Sequence, residues 1–300
     1  MISLSDIIIK MKRGSRMKNS SIIDVKSIVE NKKQELKEEI VNLKNNNVFP
    51  KLAVILANNE ESSKIYIGKK RKMCEELGIE EIEYILDEKV TNEEVIDIIN
   101  KLNNDETIDG ILVQLPIFKH LNQDIILNNI SPEKDVDGFH PVNLGKLIAN
   151  QSDGIVPCTP KGIMMILDSL NIDIQGKDAV VVGRSIIVGK PIAQLLLNRG
   201  ATVTTCHSKT TDLKKHTKRA DILVVATGVP HLVTSEMVKE DSVVIDVGIN
   251  RIDGKICGDV DTDNVSEIVE YITPVPGGVG ITTVISLMDN LVEIARNRNV

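Results

Sequence analysis

Tyr66 and Lys70 are the first pair of side chains whose types and spacing are suited to chemistry. They lie four residues apart in a segment with helical patterning, so they share one face of the predicted helix. An amine that is partly desolvated beside a phenol hydroxyl can exchange a proton near neutral pH. On spacing alone, however, the basic run KKRK at 69–72 favours the simpler interpretation of a solvated helix face.

Two further polar side chains lie where apolar segments end. Gln114 closes the apolar run DGILVQL at its carboxyl end, where a buried amide needs hydrogen-bond partners. A ligand or a lysine would satisfy this amide, and so would backbone groups of the core, and the sequence leaves both open. Asp137 is the second acid of DVDG at 135–138, and its carboxylate could accept N–H donors of a heterocycle. A calcium loop would share this pattern, but the later calcium ligands are missing.

A predicted strand, a glycine-rich turn and a helix start follow one another at residues 177–191 (KDAVVVGRSIIVGKP). The apolar strand stops at Gly183, and Gly189 follows six residues later. Such a turn lets backbone amides and a helix N-terminus meet a phosphate. The Gly-x5-Gly spacing differs from the Gly-x-Gly-x-x-Gly dinucleotide fingerprint, so an ordinary tight turn between strand and helix is the alternative.

The next predicted strand, 201–206, ends in His207-Ser208-Lys209, where a nucleotide fold places the adenosine ribose. An NAD site usually has an acid here, but none occurs from 202 to 211. Ser208, Lys209 and Arg184 of the glycine turn suit a 2′-phosphate instead, because arginine offers charge-assisted donors. The sequence therefore predicts NADP rather than NAD, although Lys209 itself is better interpreted as part of a solvated loop.

Composition places the chain among acidic α/β proteins. Of its 300 residues 42% are apolar but only 2% are aromatic, so the core is built from Ile, Leu and Val, as in parallel sheets covered by helices. The net charge of −7 argues against nonspecific nucleic-acid binding, and no apolar run is long enough to predict a membrane span. The scattered cysteines and histidines predict no metal site, and reduced thiols point to a cytoplasmic protein.

Residues 1–20 follow no secretory pattern, because their basic residues come after the apolar patch at 7–9 and no small-residue cleavage site is present. We interpret them as a disordered N-terminal extension. An organellar transit peptide and a true start at Met17 are alternatives.

Helices and strands alternate along the rest of the chain. In the first half, helices are predicted at 22–45, 62–77, 91–103 and 122–130 and strands at 52–56, 81–86 and 108–115. In the second half, strands are predicted at 178–182, 201–206, 222–226 and 242–247, with helices at 160–170 and 282–297. The stretch 131–160 is rich in Pro, Gly and Asp, as expected between lobes. We predict an α/β protein with two parallel-sheet lobes and a cleft between them, the second lobe being Rossmann-like.

Eight ordered motifs resemble those of the bifunctional methylenetetrahydrofolate dehydrogenase/methenyltetrahydrofolate cyclohydrolase family. They are SxxYxxxK at 63–70, DGILVQLP at 109–116, PEKDVDGFHPVNLGKL at 132–147, PCTPKG at 157–162, VVGRSIIVGKP at 181–191, TTCHSKT at 204–210, DVGIN at 246–250 and YITPVPGGVG at 271–280. The resemblance covers about residues 21–297. It implies a homodimeric enzyme that uses NADP to oxidise 5,10-methylenetetrahydrofolate and then hydrolyses the methenyl product to 10-formyltetrahydrofolate.

The resemblance also implies site residues. Lys70 matches the catalytic lysine, Tyr66 the tyrosine that stacks near the folate, Gln114 the glutamine that tunes the lysine, and Asp137 the carboxylate that anchors the pterin. It places the other folate contacts at Leu115, Pro276, Gly277 and Gly278. It places the NADP contacts at Gly183, Arg184, Ser185, Gly189, Ser208, Thr227, Gly228 and Ile249. The folate lobe would comprise 21–142 and the C-terminal helix 282–300, and the NADP lobe 143–281.

The chain departs from the family pattern in a few places, of which the main one is Ile281 where GGVGPMT has proline. We expect a looser loop and a changed folate affinity from this difference. Three other functions remain open: an NADP-dependent dehydrogenase of a shikimate-like or amino-acid-like substrate, a non-catalytic folate-binding protein, and a family member with only one of the two activities.

Overall fold

Two parallel sheets, each packed between helices, form the framework of the protein. The computed structural model describes residues 21–298, so the predicted N-terminal extension lies outside the described residues. The first sheet belongs to the segment that contains α1 (Val25–Asn45), β1 (Lys51–Leu56), α2 (Glu61–Leu77), β2 (Glu80–Ile85), α3 (Asn92–Asn104), β3 (Gly110–Gln114) and α4 (Gln123–Asn128). Its three strands are parallel in the order β2-β1-β3.

Local sequence signals explain why these elements form where they do. The strand β1 (KLAVIL) is apolar and almost entirely buried, because alternate side chains face helices on opposite sides of the sheet. A capping box between Thr91 and Glu94 starts α3. Gly78, at a φ of 69°, ends α2 in the left-handed conformation that glycine adopts without strain. These signals fix the start of α3 and the end of α2.

The second sheet has five parallel strands. The elements of this half are α5 (Pro141–Ile148), α6 (Cys158–Ser169), β4 (Asp178–Val182), α7 (Gly189–Asn198), β5 (Thr202–Cys206), α8 (Leu213–Thr217), β6 (Ile222–Val225), a 3₁₀ turn (Ser235–Met237), β7 (Val243–Asp246), the hairpin β8 (Asn250–Ile252) and β9 (Lys255–Cys257), α9 (Thr262–Val265), β10 (Tyr271–Ile272) and α10 (Val279–Arg298). The strand order is β10-β7-β6-β4-β5. The chain therefore reverses direction across the sheet between β4 and β6, where doubly wound folds bind ligands.

Three helices join the two sheets. The C-terminal helix α10 packs against α6, α1 and α2, and its apolar side chains enter the core beneath the first sheet. The helix α6 contributes to the core beneath the second sheet, and so does the first turn of α1. The walls of the cleft are therefore fixed to a shared helical layer.

The predicted architecture of two parallel-sheet lobes with a Rossmann-like second lobe is confirmed. The sequence missed α5, which lies inside the stretch 131–160 interpreted as a connection, and it missed the hairpin β8–β9 and the short edge strand β10. The predicted start of the C-terminal helix at 282 is wrong, because α10 begins at Val279. Glycines at 277, 278 and 280 masked this start, since glycine is a poor helix former.

Candidate active site between the two lobes

The polar side chains of the first lobe meet at the carboxyl edge of its sheet. The ammonium Nζ of Lys70, on α2, donates to Oε1 of Gln114 at 2.9 Å. The Gln114 amide in turn donates from Nε2 to the carbonyl of Leu115 at 2.7 Å, which orients its oxygen towards the lysine. Only 7% of Lys70 is exposed. The interpretation of 69–72 as a uniformly solvated face is therefore wrong at Lys70, while Lys69, Arg71 and Lys72 are exposed.

Asp137 reaches the same edge because the segment before it runs beside β3. The amide of Ile111 donates to the carbonyl of Lys134 at 2.7 Å, and Ile111 pairs with Asp135 as in a parallel sheet. Burial raises the pKa of Asp137 to about 6, against the opposing effect of the Lys70 charge. The Asp137 carboxyl group and the Lys70 ammonium group thus lie close enough to interact electrostatically.

Asp135, the first acid of the DVDG motif, has a structural role. Asp135 accepts hydrogen bonds from the amides of Gly138 and His140 at 3.1 and 2.8 Å and from Nδ2 of Asn143 at 3.1 Å. Its side chain is buried and holds the turn that follows it. Of the two acids, only Asp137 is left to meet a ligand.

A cavity of about 330 Å³ spans the cleft between the lobes. The first lobe contributes Tyr66 to its lining, and the second lobe contributes Ile249 and the loop 274–278. The structure therefore brings Tyr66, Ile249, Pro276, Gly277 and Gly278 together around this cavity, whereas Lys70, Gln114, Leu115 and Asp137 are not among its lining residues. Gly277 has a φ of 95°, in the left-handed region that favours glycine.

Ile281, where the family pattern has proline, lies in the first turn of α10 and lines the same cavity. Its amide donates to the carbonyl of Gly278 at 3.1 Å, a bond that proline has no hydrogen to make. This bond fixes the loop to the helix, which opposes the loosening expected from the loss of proline.

The glycine turn of the second lobe requires its two glycines for close packing. Gly183 has a φ of 137°, and a Cβ there would overlap the carbonyl of Ala226 at the end of β6. A Cβ on Gly189 would overlap Gly183 and stand 2.7 Å from the amide nitrogen of Arg184. The hydroxyl of Ser185 accepts from the amides of Val188 and Gly189 at 3.1 and 3.4 Å and so closes the turn at the start of α7. The turn lies beside the reversal point between β4 and β6.

Arg184 and Ser208 follow the ends of β4 and β5, which are neighbours in the sheet. Both side chains are exposed, and the amide of Gly183 donates to the carbonyl of Cys206 at 2.9 Å, which fixes the spacing of the two strand ends. The nearest acid after β5 is Asp212, which caps α8 by accepting from the amide of Lys215 at 3.2 Å. The two strand ends therefore carry a cation and a hydroxyl, with Asp212 occupied elsewhere.

Thr227 and Gly228 are fixed by an acid that the sequence analysis missed. The fully buried Asp259 accepts from the Thr227 hydroxyl at 2.9 Å and from the Gly228 amide at 3.0 Å, and its other oxygen accepts from Nδ2 of Asn250 at 2.8 Å. The Thr227 hydroxyl and the Gly228 amide are thus bonded to Asp259, and these bonds hold the loop in place. An acid directly after Gly258 was the available signal, but its spacing of 32 residues from Thr227 gave no pattern to detect.

Within residues 21–298, no group of three His, Cys, Asp or Glu side chains is placed to hold a metal ion. None of the helices in that range has the length and apolar character needed to cross a membrane.

Comparisons with known proteins identify the family of the chain. The model of the tetrahydrofolate dehydrogenase/cyclohydrolase catalytic domain matches residues 23–137, and that of the family's NAD(P)-binding domain matches 157–299. A bifunctional protein FolD of Aquifex aeolicus is 50% identical over 273 residues, which is 91% of this chain and 94% of that protein.

Solved structures give the same result. A bifunctional FolD methylenetetrahydrofolate dehydrogenase/cyclohydrolase from Campylobacter jejuni is 49% identical, with a TM-score of 0.90 over 92% of this chain and 98% of its own. The Trypanosoma brucei FolD, solved with NADP cofactor and inhibitor, is 36% identical, with a TM-score of 0.87 over 92% and 97%. A shikimate 5-dehydrogenase from Thermus thermophilus, 16% identical with a TM-score of 0.50 over 83% and 98%, shares the fold alone. The chain is therefore a member of the tetrahydrofolate dehydrogenase/cyclohydrolase family.

Proposed function

We propose that this protein oxidises 5,10-methylenetetrahydrofolate to the 5,10-methenyl compound with NADP and then hydrolyses that product to 10-formyltetrahydrofolate. Both reactions take place in the cleft between the lobes. The observation that carries the proposal is the hydrogen-bonded pair of Lys70 and Gln114 in the first lobe, with Asp137 close enough for the Lys70 charge to act on it, together with a glycine turn of nucleotide-binding type in the second lobe. A proton-transfer group and a dinucleotide site are the two parts that the two reactions need.

The second lobe fits NADP. The closely packed Gly183 and Gly189 let backbone approach a pyrophosphate at the N-terminus of α7. Arg184 supplies charge-assisted donors for a 2′-phosphate, and Ser208 supplies a hydroxyl. When bound, the nicotinamide accepts a hydride from the folate. Ser185, Thr227, Gly228 and Ile249 shape the backbone and the apolar wall along which the cofactor lies.

In the first reaction the chain's own residues mainly bind and orient. Asp137, when ionised, accepts the N–H groups of the pterin, and the ring of Tyr66 stacks on the aromatic part of the folate. Pro276, Gly277 and Gly278 line the cavity that would hold the one-carbon bridge, and the carbonyl of Leu115 orients Gln114. The product is a resonance-stabilised cation, so this step needs alignment rather than a strong base.

The second reaction needs a proton to move, and Lys70 is the group placed for it. Water adds to the carbon of the methenyl bridge and loses one proton to give a neutral carbinol. The remaining hydroxyl proton is lost as the C=O bond forms, while the bond from this carbon to N5 breaks and N5 takes a proton, so one proton is released overall. Lys70 accepts a proton from the oxygen as the neutral amine and returns a proton to N5 as the ammonium. Gln114 holds the ammonium at a fixed position through the 2.9 Å hydrogen bond from Nζ.

The experiment is a paired assay on one purified sample: NADPH formation from 5,10-methylenetetrahydrofolate, and hydrolysis of 5,10-methenyltetrahydrofolate. We expect both activities, with NADP used more efficiently than NAD. Hydrolysis without NADPH formation, or the reverse, would identify a member with a single activity. Turnover of shikimate-like substrates, or folate binding without any absorbance change from NADPH, would replace the proposal by one of the other functions.

We further propose that the protein acts as a homodimer in a reducing compartment such as the cytoplasm. An apolar groove of about 530 Å³ runs along α5, α7 and β5, which is an edge strand. Ile148 and Leu197 on this surface are 68% and 52% exposed, as expected of side chains that a second copy covers. Cys74, Cys158, Cys206 and Cys257 are free thiols. Sedimentation of the wild-type protein and of Leu197→Glu tests the dimer, which the charge should dissociate.

A further inference from the structure

The backbone that carries Asp137 is held by a side chain from the far end of the chain. Asn290, on α10, is fully buried. Its Nδ2 donates to the carbonyl of Val136 at 2.9 Å and to the carbonyl of Val156 at 2.9 Å. Both amide hydrogens are thus used, and they join the two backbone segments that flank residues 137–155, which include α5. One of these segments ends at Asp137, directly after the bonded Val136 carbonyl.

The orientation of the Asn290 amide is fixed by its oxygen. Oδ1 accepts from the ammonium Nζ of Lys161 on α6 at 2.8 Å. Lys161 is itself placed by ion pairs with Asp289 at 2.7 Å and Glu293 at 3.1 Å. A reversed amide would turn its oxygen to two carbonyls and its hydrogens to an ammonium, so only the observed orientation makes all three bonds.

Neighbouring contacts brace the same short segment. The thiol of Cys158 donates to the Val136 carbonyl at 3.2 Å, and the amide of Cys158 donates to the carbonyl of Asp137 at 3.4 Å. Gly138 has a φ of 73°, and a Cβ there would stand 2.7 Å from the backbone of Val156 and Pro157. The main chain at Asp137 therefore has little freedom, and the direction of its carboxylate depends on these bonds.

We infer that Asn290, held by Lys161, is a positioning residue that sets the place of the Asp137 carboxylate against the pterin ring. The inference rests on the proposed function, in which Asp137 anchors the pterin. Because Asn290 is fully buried and its amide hydrogens are bonded to main-chain carbonyls, it acts through the main chain at 136–137. It therefore affects folate binding in both reactions alike and leaves the NADP site untouched.

The test is Asn290→Asp, which keeps the shape of the side chain and the acceptor for Lys161 but replaces both donors by a carboxylate oxygen facing two carbonyls. We expect the KM for the folate substrate to rise at least tenfold in both reactions, with the KM for NADP unchanged. A merely structural role would lower the amount of active enzyme, and hence the apparent kcat, without moving the folate KM. Asn290→Ser, which retains one small donor, should give a smaller rise and serves if the aspartate variant does not fold.

Asn103→Asp is the matched control. Asn103 also bridges backbone, donating to the Asn129 carbonyl at 2.7 Å and accepting from the Ser131 amide at 2.9 Å, but away from the cleft. Its substitution should leave the folate KM unchanged. Asp137→Asn is measured in parallel. If it raises the folate KM while the Asn290 variants do not, the inference is overturned. If it does not raise that KM, the role proposed for Asp137 is wrong.

Discussion

Replacing Lys70 with methionine separates the two reactions proposed for the cleft. Methionine has a similar length and fills the same buried space, so the packing around α2 is retained. The variant loses the side chain to which we assign proton transfer in the hydrolytic step. It keeps Tyr66, Gln114 and Asp137, as well as the whole second lobe, on which hydride transfer depends.

The size of the effect follows from the role. General acid–base catalysis by one side chain contributes about 10²–10⁴-fold, so hydrolysis of the methenyl substrate should fall by that factor. The substitution removes the donor to Gln114 Oε1, and an unsatisfied buried acceptor costs about 1–3 kcal/mol. It also removes a cation that is only 7% exposed and whose burial carries a desolvation penalty. These changes oppose each other, and we expect the folded protein to persist.

The same substitution should shift the pH dependence of the dehydrogenase. Burial raises the pKa of Asp137 to about 6, and the Lys70 charge lowers it from what burial alone would give. Without that charge the pKa rises further. A carboxyl group loses its charge as the pH falls through its pKa, so the pH below which the folate KM increases should move upward in the variant.

The assay is the NADPH-forming rate and the methenyl-hydrolysing rate of Lys70→Met, each measured from pH 5.5 to 8.5 on the same sample. Lys72→Met is the matched control, because Lys72 is an exposed lysine on the same helix that lies near Glu76 and is not among the lining residues of the cavity. The expected result is loss of hydrolysis, residual dehydrogenase activity and a displaced acid limb. Full hydrolytic activity in Lys70→Met would refute the assignment of proton transfer to this amine.

Three other substitutions test separate parts of the structure. Arg184→Ala should raise the KM for NADP by roughly 10–100-fold and leave the KM for NAD unchanged, because a hydrogen bond to a charged group contributes about 1.5–3 kcal/mol. Equal effects on the KM values of the two cofactors would contradict the role of Arg184 at the 2′-phosphate. Gly189→Ala should lower stability by about 1–3 kcal/mol in urea unfolding and weaken NADP binding, since its Cβ would overlap Gly183, and an unchanged NADP KM would count against the close-approach argument. Burial raises the pKa of Glu81 to about 7 from an ordinary 4.5, so the folded protein binds a proton that the unfolded chain releases, and stability falls as the pH rises between these values. Glu81→Gln should therefore stabilise the protein at pH 8 by roughly 1–2 kcal/mol and flatten its pH dependence, and no gain at pH 8 would show that the carboxyl is already solvated.

Much of the fold was predictable because the strands of parallel sheets are continuous apolar runs. LAVIL in β1, AVVV in β4 and ILVV in β6 are each preceded by a charged residue, and each was found within a residue or two. The helix α5 was missed because Pro141 and Gly145 look like linker residues, although proline is well suited to a first helical turn. The strand β10 has two residues and depends on pairing with β7, which no local pattern reveals.

The candidate site was partly predictable for a related reason. Lys70 and Tyr66 share a helix, and Gln114 ends a strand, so local patterns placed them. The burial of Lys70 was not predictable, because its neighbours in the sequence are also basic and only the tertiary structure separates the exposed cations from the buried one. Asn290 bonds to a backbone carbonyl 154 residues earlier, and Asp259 bonds to a backbone amide 32 residues earlier. Because every residue type has such backbone groups, the sequence does not indicate these partners.

The core of the folate lobe cannot be completed until α10 (Val279–Arg298) has been synthesised. Asn290 bonds to a carbonyl 154 positions earlier, and Leu291 packs where Gly110 leaves room for it. A nascent polypeptide that ends before α10 would already contain Tyr66, Lys70, Gln114 and Asp137, the first-lobe residues that we assign to folate, but would lack the helix that completes the core beneath the first sheet. Premature termination before α10 should yield a chain that cannot process folate, whatever its ability to bind a nucleotide.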